Sequence, residues 1–300
     1  MVDKTYTFHN HRFTFRRRFK HMHDCVKAAL DSMGYKEVAD SSNLNIYNHT
    51  TLSLESNLKP NPIFLKPTGP SSLHFSIDRE GYASSSSLAF NKPDYNINVD
   101  WSVIETQINE RVNKWDAKSG FDTGPVWSEA SLVKPNHILV IGQMPTDETV
   151  LRFSFGDHVA KLDAIISNLA GLNVVVKLHP KFKARDKPQA AMIESWKGLC
   201  DVRTGFESIH SILPKTKVAI IENSTTGIEC LMHDVPVISY GHPEYHWVTK
   251  DMRSLTQLVP SIDDMSWWSK EDARMFCYWL LTEHWPTDIA TAKARLEQIL

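Results

Sequence analysis

The sequence predicts an α/β protein whose second half folds around a parallel β-sheet of the Rossmann type. Short β-branched segments recur after residue 136, each apolar on both faces of an extended strand, and helical patterns separate them. The four segments are HILVIG (137–142), NVVVKLH (173–179), KVAII (217–221) and PVISY (236–240). Such strands, alternating with helices, describe a parallel sheet covered by helices on both sides.

Three helices are predicted among these strands, at residues 157–170, at 188–197 and from a start near Ser224. In such a sheet, ligands bind outside the carboxyl ends of the strands. We therefore expect the functional site among the residues that directly follow each strand.

The first third of the chain is more polar and contains many turn residues. Its apolar spacing predicts a helix over 19–33 ended by Gly34, strands at 44–47 and 63–66, and an amphipathic helix over 101–115. The serine run at 84–87 is interpreted as a loop.

The length of 300 residues allows two domains, since a domain typically has about 100–200 residues. We expect an N-terminal domain over 1–135 and a C-terminal, Rossmann-like domain over 136–300 that ends in closing helices. With 42% hydrophobic and 23% charged residues, the composition excludes a disordered chain, a collagen and a coiled coil. The net charge of −2 argues against a dedicated nucleic-acid binder.

The cysteines indicate a reducing compartment. Cys25, Cys200, Cys230 and Cys277 are far apart and show no CxxC or CxxH spacing, so neither a redox motif nor a zinc site is predicted. The first 20 residues lack the apolar segment of a signal peptide, and no stretch is long and apolar enough to span a membrane. We expect a cytoplasmic protein.

Polar residues follow every strand of the second half. The segment from Asn223 to Gly227 (NSTTG) precedes a helix, so its hydroxyls and the unpaired N–H groups of the first helical turn form a candidate cradle for phosphate. The alternative is a plain capped helix.

Two further strand ends carry candidate catalytic groups. Asp147 follows the first strand, where it is either a base or nucleophile, or an N-cap or turn aspartate. His179 either packs at the end of its strand or is directed outward by Pro180, with Lys177 and Lys181 supplying positive charge nearby.

Three motifs, taken in order, resemble the capsule polysaccharide biosynthesis proteins, a family that includes bacterial β-Kdo transferases. They are ILVIGQMPTD, VVKLHPK and ENSTTGIECLMHDVPVISYG, and the resemblance covers about residues 136–247. The Lys-x-His-Pro and Ser-Thr pair is also similar to the motif pair of bacterial sialyltransferases, which use CMP-activated sugars. The first 135 residues carry no such signature.

The resemblance implies a metal-independent, GT-B-like glycosyltransferase with two Rossmann-type domains and the active site in the cleft between them. It implies that residues 1–135 form the acceptor-side domain and that residues 136–300 form the domain that binds the nucleotide-sugar donor. It implies that His179 contacts the donor phosphate and assists departure of the nucleotide, that Ser224 and Thr225 hold the same phosphate, and that Glu229 reaches the ribose. Asp147 matches a Gln-x-x-x-Asp carboxylate that acts on the sugar, as a base or as a transient nucleophile. Where members of that family usually have Glu-Ala-Leu, this sequence has Glu229-Cys230-Leu231.

The predicted site therefore has catalytic residues Asp147 and His179, and no metal. The favoured donor is CMP-Kdo or a related CMP-ulosonate, the acceptor is a saccharide or glycolipid, and no cofactor is required. The predicted donor-binding residues are Gln143, Lys177, Pro180, Lys181, Asn223, Ser224, Thr225, Thr226, Gly227, Glu229, Gly241 and Tyr245.

Two other functions stay open: a phage-type DNA glycosyltransferase acting on a hydroxymethylated base, and a non-catalytic nucleotide-sugar binding module. The cluster of Arg16, Arg17 and Arg18 among phenylalanines is either the solvated start of a helix or a surface for nucleic acid or an anionic membrane. The C-terminal tryptophans are either a packed closing helix or an interfacial anchor. The segment 242–246 (HPEYH) is not HExxH, because Pro243 prevents the required helix.

Overall fold

The structure is a computed structural model that describes residues 4–9, 17–48, 58–110, 133–153, 156–204 and 208–300. Two β-sheets organise this part of the chain. The first has five strands in the order β2-β1-β3-β4-β5, and the second has six in the order β11-β10-β9-β6-β7-β8.

The first sheet lies in the N-terminal third of the chain. Its neighbouring strands are parallel except for β4 and β5, which pair antiparallel. The predicted strands at 44–47 and 63–66 are confirmed as β3 and β4. The strands are β1 Thr5–His9, β2 Lys36–Glu37, β3 Leu44–Asn48, β4 Pro62–Pro67 and β5 Phe75–Asp78.

All strand pairs of the second sheet are parallel, which confirms the predicted α/β class. The four predicted strands correspond to β6, β7, β9 and β10. The strands are β6 His137–Gly142, β7 Val174–Leu178, β8 Asp201–Arg203, β9 Thr216–Ile221, β10 Val237–Ser239 and β11 Lys250–Asp251.

Helices connect these strands, together with a π-helical segment at Leu280–His284. The α-helices are α1 Arg17–Ser32, α2 Ser87–Phe90, α3 Trp101–Thr106, α4 Glu148–Phe153, α5 His158–Asn168, α6 Lys187–Trp196, α7 Ile209–Ile212, α8 Thr226–Met232, α9 Leu258–Asp263, α10 Lys270–Trp279 and α11 Ile289–Ile299. The 3₁₀ turns are Ala83–Ser85, Leu213–Lys215, His246–Val248 and Leu255–Gln257.

Two apolar cores enclose the second sheet. On one face, Val140 and Val176 pack with Leu162 of α5 and Ile262 of α9. On the other face, the strands pack with residues of α8 and α10, including Phe276. Since both faces are covered, the strands are apolar throughout, which is the pattern that the sequence shows.

A third core joins the two ends of the chain. The apolar face of α1, including Met22 and Leu30, packs on the first sheet together with Ala292 and Leu296 of α11. The backbone N–H of Phe75 also donates to the carbonyl of Pro286 at 3.1 Å. The last helix therefore completes the core of the first domain, after the chain has passed through the second.

The serine run is not simply a loop, so that interpretation was wrong. Residues 83–90 form the 3₁₀ turn Ala83–Ser85 and α2, because the carboxylate of Asp78 accepts hydrogen bonds from the N–H and hydroxyl of Ser87. On the other side, the hydroxyl of Ser86 donates to Glu244 Oε2 at 3.2 Å. These tertiary contacts impose a structure that the serine composition does not indicate.

The predicted helix over 101–115 is described only to residue 110, and its remainder lies outside the described residues. Within those bounds α3 begins after Asp100, whose side chain accepts from the N–H of Ser102 at 3.1 Å. Among the helices of the described ranges, none is long and apolar enough to cross a membrane.

Candidate active site

The predicted site residues cluster at the carboxyl ends of the second sheet. Strands β7, β6, β9 and β10 are consecutive in that sheet and parallel, so the segments after them lie along one edge. These segments contain every predicted site residue except Lys177, which belongs to β7.

Gln143 and Asn223 tie two of these loops together. The side-chain amide of Gln143 donates to Asn223 Oδ1 at 2.8 Å, and Gln143 Oε1 accepts the backbone N–H of Asn223 at 2.9 Å. Both residues are buried. They therefore hold the loop after β6 against the loop after β9, rather than presenting free amides to a ligand.

Asp147 begins α4 at the end of the first loop. Its Oδ1 accepts the backbone N–H of Thr149 at 2.9 Å and the Thr149 hydroxyl at 2.6 Å. Asn223 supports the same turn, because its side-chain amide donates to the carbonyl of Thr149 at 3.1 Å. Asp147 itself is exposed. The aspartate thus caps a helix and also presents a carboxylate at the edge of the sheet.

His179 lies at the end of β7 with an exposed imidazole. Its backbone N–H donates to the carbonyl of Gly142 at 3.1 Å, and its Nδ1 accepts the backbone N–H of Lys181 at 3.0 Å. An imidazole that accepts at Nδ1 carries its proton on Nε2 when neutral. His179 therefore presents an N–H donor at Nε2, which suits a phosphate oxygen.

The residues around His179 differ in exposure. Pro180 is half-buried and Lys181 is exposed beside it. Lys177 is buried within the sheet, where its ammonium donates to the carbonyl of Leu178 at 3.3 Å. Of the two predicted lysines, Lys181 is the one that lies at the surface of the edge.

The hydroxyl-rich segment after β9 forms a local turn. The Ser224 hydroxyl donates to the Thr226 hydroxyl at 3.1 Å and accepts the backbone N–H of Thr226 at 3.2 Å. Thr225 is the N-cap of α8, and its side chain makes no capping hydrogen bond. All three side chains are half-buried, so their hydroxyls stand at the boundary between the sheet edge and solvent.

Gly227 and Tyr245 pack directly against each other. A β-carbon at 227 would approach the Tyr245 ring closer than 3.0 Å, which real β-carbons essentially never do. Tyr245 is only 1% exposed, its hydroxyl donates to the carbonyl of Ser224, and burial raises its pKa well above the usual value. Both residues support the 224–227 turn from beneath.

Gly241 has a comparable role beside Glu222. Its N–H donates to the Glu222 carbonyl at 3.0 Å, and a β-carbon at 241 would lie 2.5 Å from that oxygen. The glycine is thus required where the chain after β10 passes the end of β9.

Glu229 lies one turn into α8, next to two histidines. His210 Nε2 is 3.8 Å from Glu229 Oε1, and His210 Nδ1 is 2.8 Å from His233 Nε2. Burial, followed by the adjacent His210, lowers the pKa of His233 to about 3. Glu229 therefore lies beside a pair of histidines whose rings are held by their mutual hydrogen bond.

A buried ionic network that sequence reasoning missed lies beneath the same edge. The carboxylate of Glu222 is fully buried, with His158 Nδ1 at 2.5 Å from one oxygen and the Lys161 ammonium on the other. His158 Nε2 in turn accepts the backbone N–H of Gln143 at 2.9 Å. The network fixes the start of the loop that ends at Asp147.

The first domain contributes a second group that sequence reasoning missed, in direct contact with the loop after β6. The Tyr82 hydroxyl donates to Glu148 Oε2 at 2.6 Å, and the ammonium of Lys66 lies 3.8 Å from the centroid of the Tyr82 ring. A cavity of about 230 Å³ opens beside this loop. It is lined by Pro145, Val150, Leu151, Gly156, Asp157, His158 and Arg185.

Other sequence features lie away from catalytic groups. In the part of the chain that the structure describes, no cluster of three or more His, Cys, Asp or Glu side chains could hold a metal ion. His242 of the HPEYH segment contacts the first domain instead, with its Nε2 3.0 Å from the carbonyl of Ala89. Among the C-terminal aromatic residues, Phe276 and Trp285 are buried in the core.

The basic cluster near the N-terminus is only partly described. Arg16 and the phenylalanines at 13 and 15 lie outside the described residues. Phe19 is buried in the third core, with α1 and the first sheet, and Arg18 donates to the carbonyl of Pro67 at 3.3 Å. The described part is therefore the start of a packed helix.

Residues 71–258 match the family described as capsule polysaccharide biosynthesis protein. This is more than half of the chain. The chain belongs to this family. The match extends well upstream of the three motifs, into the first domain, where the sequence alone offers no recognisable signature. No curated protein matches the sequence significantly.

Two solved structures from Thermosulfurimonas dismutans are similar to the chain along nearly its whole length. One is the KpsC β-Kdo 2,4 transferase, with a TM-score of 0.59 at 13% identity, covering 99% of this chain and 98% of that chain. The other is the KpsC β-Kdo 2,7 transferase, with a TM-score of 0.55 at 18% identity, covering 94% of this chain and 100% of that chain. The likeness confirms the predicted GT-B-like fold of this family member.

Proposed function

We propose that this chain is a glycosyltransferase that moves a sugar from a nucleotide-activated donor to a saccharide or glycolipid acceptor. CMP-Kdo or a related CMP-ulosonate is the favoured donor. Family membership supports the biosynthetic role, and the two similar structures, both named as Kdo transferases, support this donor class. The buried free thiols of Cys25, Cys230 and Cys277 support a cytoplasmic location.

One observation carries the proposal: the loops that hold Asp147 and the 224–227 turn are tied together by the reciprocal Gln143–Asn223 pair. His179 joins them through its hydrogen bond to Gly142. A carboxylate, an imidazole donor and a set of hydroxyls are thereby preorganised along one edge. Preorganised donors favour the negative charge that develops on a departing nucleotide.

In this mechanism, the Nε2–H of His179 and the hydroxyls of Ser224 and Thr225 stabilise the donor phosphate as the bond to the sugar breaks. Asp147 acts on the opposite side of the anomeric carbon. It either deprotonates the acceptor hydroxyl or forms a transient glycosyl ester that the acceptor then displaces. Glu229 contacts the ribose.

The test uses Asp147→Asn, because asparagine retains the N-cap of α4 and removes the negative charge. We expect transfer to fall at least about 100-fold, with folding and nucleotide binding unchanged. Asp186→Asn is the matched control, since Asp186 caps α6 through Gln189 N–H at 2.8 Å. Full transfer activity in Asp147→Asn would overturn the catalytic role.

The donor is tested by a thermal-shift series with CMP, UDP, GDP and their sugars. We expect stabilisation by CMP compounds, and His179→Ala should weaken both nucleotide binding and transfer. A shift with UDP or GDP but not with CMP would replace the favoured donor class.

A further inference from the structure

Lys66 brings a positive charge from the first domain to the edge of the second. It lies near the end of β4 and is partly exposed. Its ammonium lies 3.8 Å from the centroid of the Tyr82 ring, and the Tyr82 hydroxyl donates to Glu148 at 2.6 Å. Glu148 directly follows Asp147. The ring of Tyr82 thus positions the lysine beside the loop that carries the proposed catalytic carboxylate.

The ammonium of Lys66 is influenced by burial and by several charged side chains. Burial lowers the pKa of its ammonium, and the negative charges of Asp147, Glu244 and Glu148 oppose that shift, with Asp147 the strongest of the three. Arg18 adds a second positive charge nearby. An ammonium that is partly removed from water gains more from an anionic partner than a fully hydrated ammonium does.

We propose that Lys66 binds the carboxylate of an ulosonate donor sugar and selects such donors over aldose donors. The inference rests on the proposed function, in which Asp147 acts at the anomeric carbon. In an ulosonate, the carboxylate is bonded directly to that carbon, whereas an aldose carries hydrogen there. A cation that recognises the carboxylate must therefore lie next to the group that acts on the anomeric carbon.

Lys66 and Asp147 come from opposite domains, and the contacts through Tyr82 bring the lysine to Glu148, the residue that follows Asp147. The donor nucleotide is held by the second domain, so contact of the sugar carboxylate with Lys66 engages the first domain as well. The lysine then contributes little to binding of the nucleotide alone, and its contribution appears only when the sugar acid is attached.

The experiment compares the affinities for CMP and for CMP-Kdo in Lys66→Met, measured by calorimetry. Methionine retains most of the stem that packs on Tyr82 but removes the charge. We expect the affinity for CMP-Kdo to fall about 10- to 100-fold, with the affinity for CMP changed less than about threefold. Lys66→Arg, which retains the charge, should keep most of the CMP-Kdo affinity.

The control variant is Lys59→Met, in the same domain, where the exposed lysine pairs with Asp40. It should bind both compounds as the wild type does. Equal losses for CMP and CMP-Kdo in Lys66→Met, unchanged CMP-Kdo affinity, or no rescue by Lys66→Arg would each overturn the role of Lys66. A wild type that binds UDP or GDP but not CMP would instead overturn the proposed donor, and this inference with it.

Discussion

The ring of Tyr245 occupies the space that a side chain at Gly227 would need. The contact allows the Tyr245 hydroxyl to reach the Ser224 carbonyl and holds the hydroxyl-rich turn in place. A glycine in this motif is therefore explained by packing beneath the turn.

Gly227→Ala is expected to destabilise the protein by about 2–3 kcal/mol, because the buried ring has no room to move without losing its hydrogen bond. Urea denaturation measures the loss. Gly198→Ala is the control, since the nearest atom to a β-carbon there is the Ser195 carbonyl oxygen at 3.6 Å. Equal stability of the two variants would contradict the packing argument.

Glu222→Gln should lower the free energy of unfolding by about 2–4 kcal/mol, because it leaves the Lys161 ammonium and the His158 ring without their buried carboxylate partner. Transfer should fall further than stability alone accounts for, since His158 also positions the start of the Asp147 loop. Glu194→Gln removes one partner of an exposed pair with Lys197 and should change stability by less than about 0.5 kcal/mol. Full activity in folded Glu222→Gln would show that the network does not position the loop.

The lowered pKa of His233 is expected to make the folded protein less stable in acid. Burial and His210 lower its pKa to about 3, whereas an unfolded histidine titrates near about 6.5. Between these values the unfolded state binds more protons, so stability falls as the pH falls, by up to about 1.4 kcal/mol per pH unit. His233→Gln should therefore show a shallower decline in unfolding free energy from pH 6 to pH 4, and a constant offset from the wild type at pH 8. Parallel curves across the whole range would contradict this linkage.

Because Leu296 of α11 is buried against α1 and the first sheet, we expect this helix to stabilise the first domain. Leu296→Ala should lower the free energy of unfolding by about 3 kcal/mol, because the leucine side chain is fully buried in the core that α1 and the first sheet form. Ile289→Ala, in the same helix but 49% exposed, should change stability little. Spectroscopic probes other than tryptophan fluorescence, placed in β3 or β4, would report this loss of stability. If these probes show no change, Leu296 does not belong to this core.

The sequence allowed the strands of the second sheet to be predicted because each is apolar and β-branched on both faces. β6 matches its predicted range of 137–142. In contrast, β1 (TYTFH) has a mixed pattern, and the two residues of β2 become a strand only by pairing with β1. Such elements depend on their neighbours, and no local pattern indicates them.

The site was predictable only where its residues are contiguous with a strand. The loops after β6, β7 and β9 were found in this way. His158 and Glu222 are 64 positions apart, and a buried ion pair has no sequence signature. Lys66 could not be found either, because it approaches Asp147 only when two domains pack together. The burial of Tyr245 and Lys177 likewise follows from tertiary packing.

The position of α11 on the first sheet has a consequence for the order of folding. The apolar face of α1 is complete only when Ala292 and Leu296 are available, about 270 positions later in the chain. Contacts over such separations form slowly, and a nascent chain exposes the uncovered surface until they form. During synthesis, the segment that contains α1 and the first sheet therefore completes its core only after residues 289–299, which follow the second sheet in the chain, have been made.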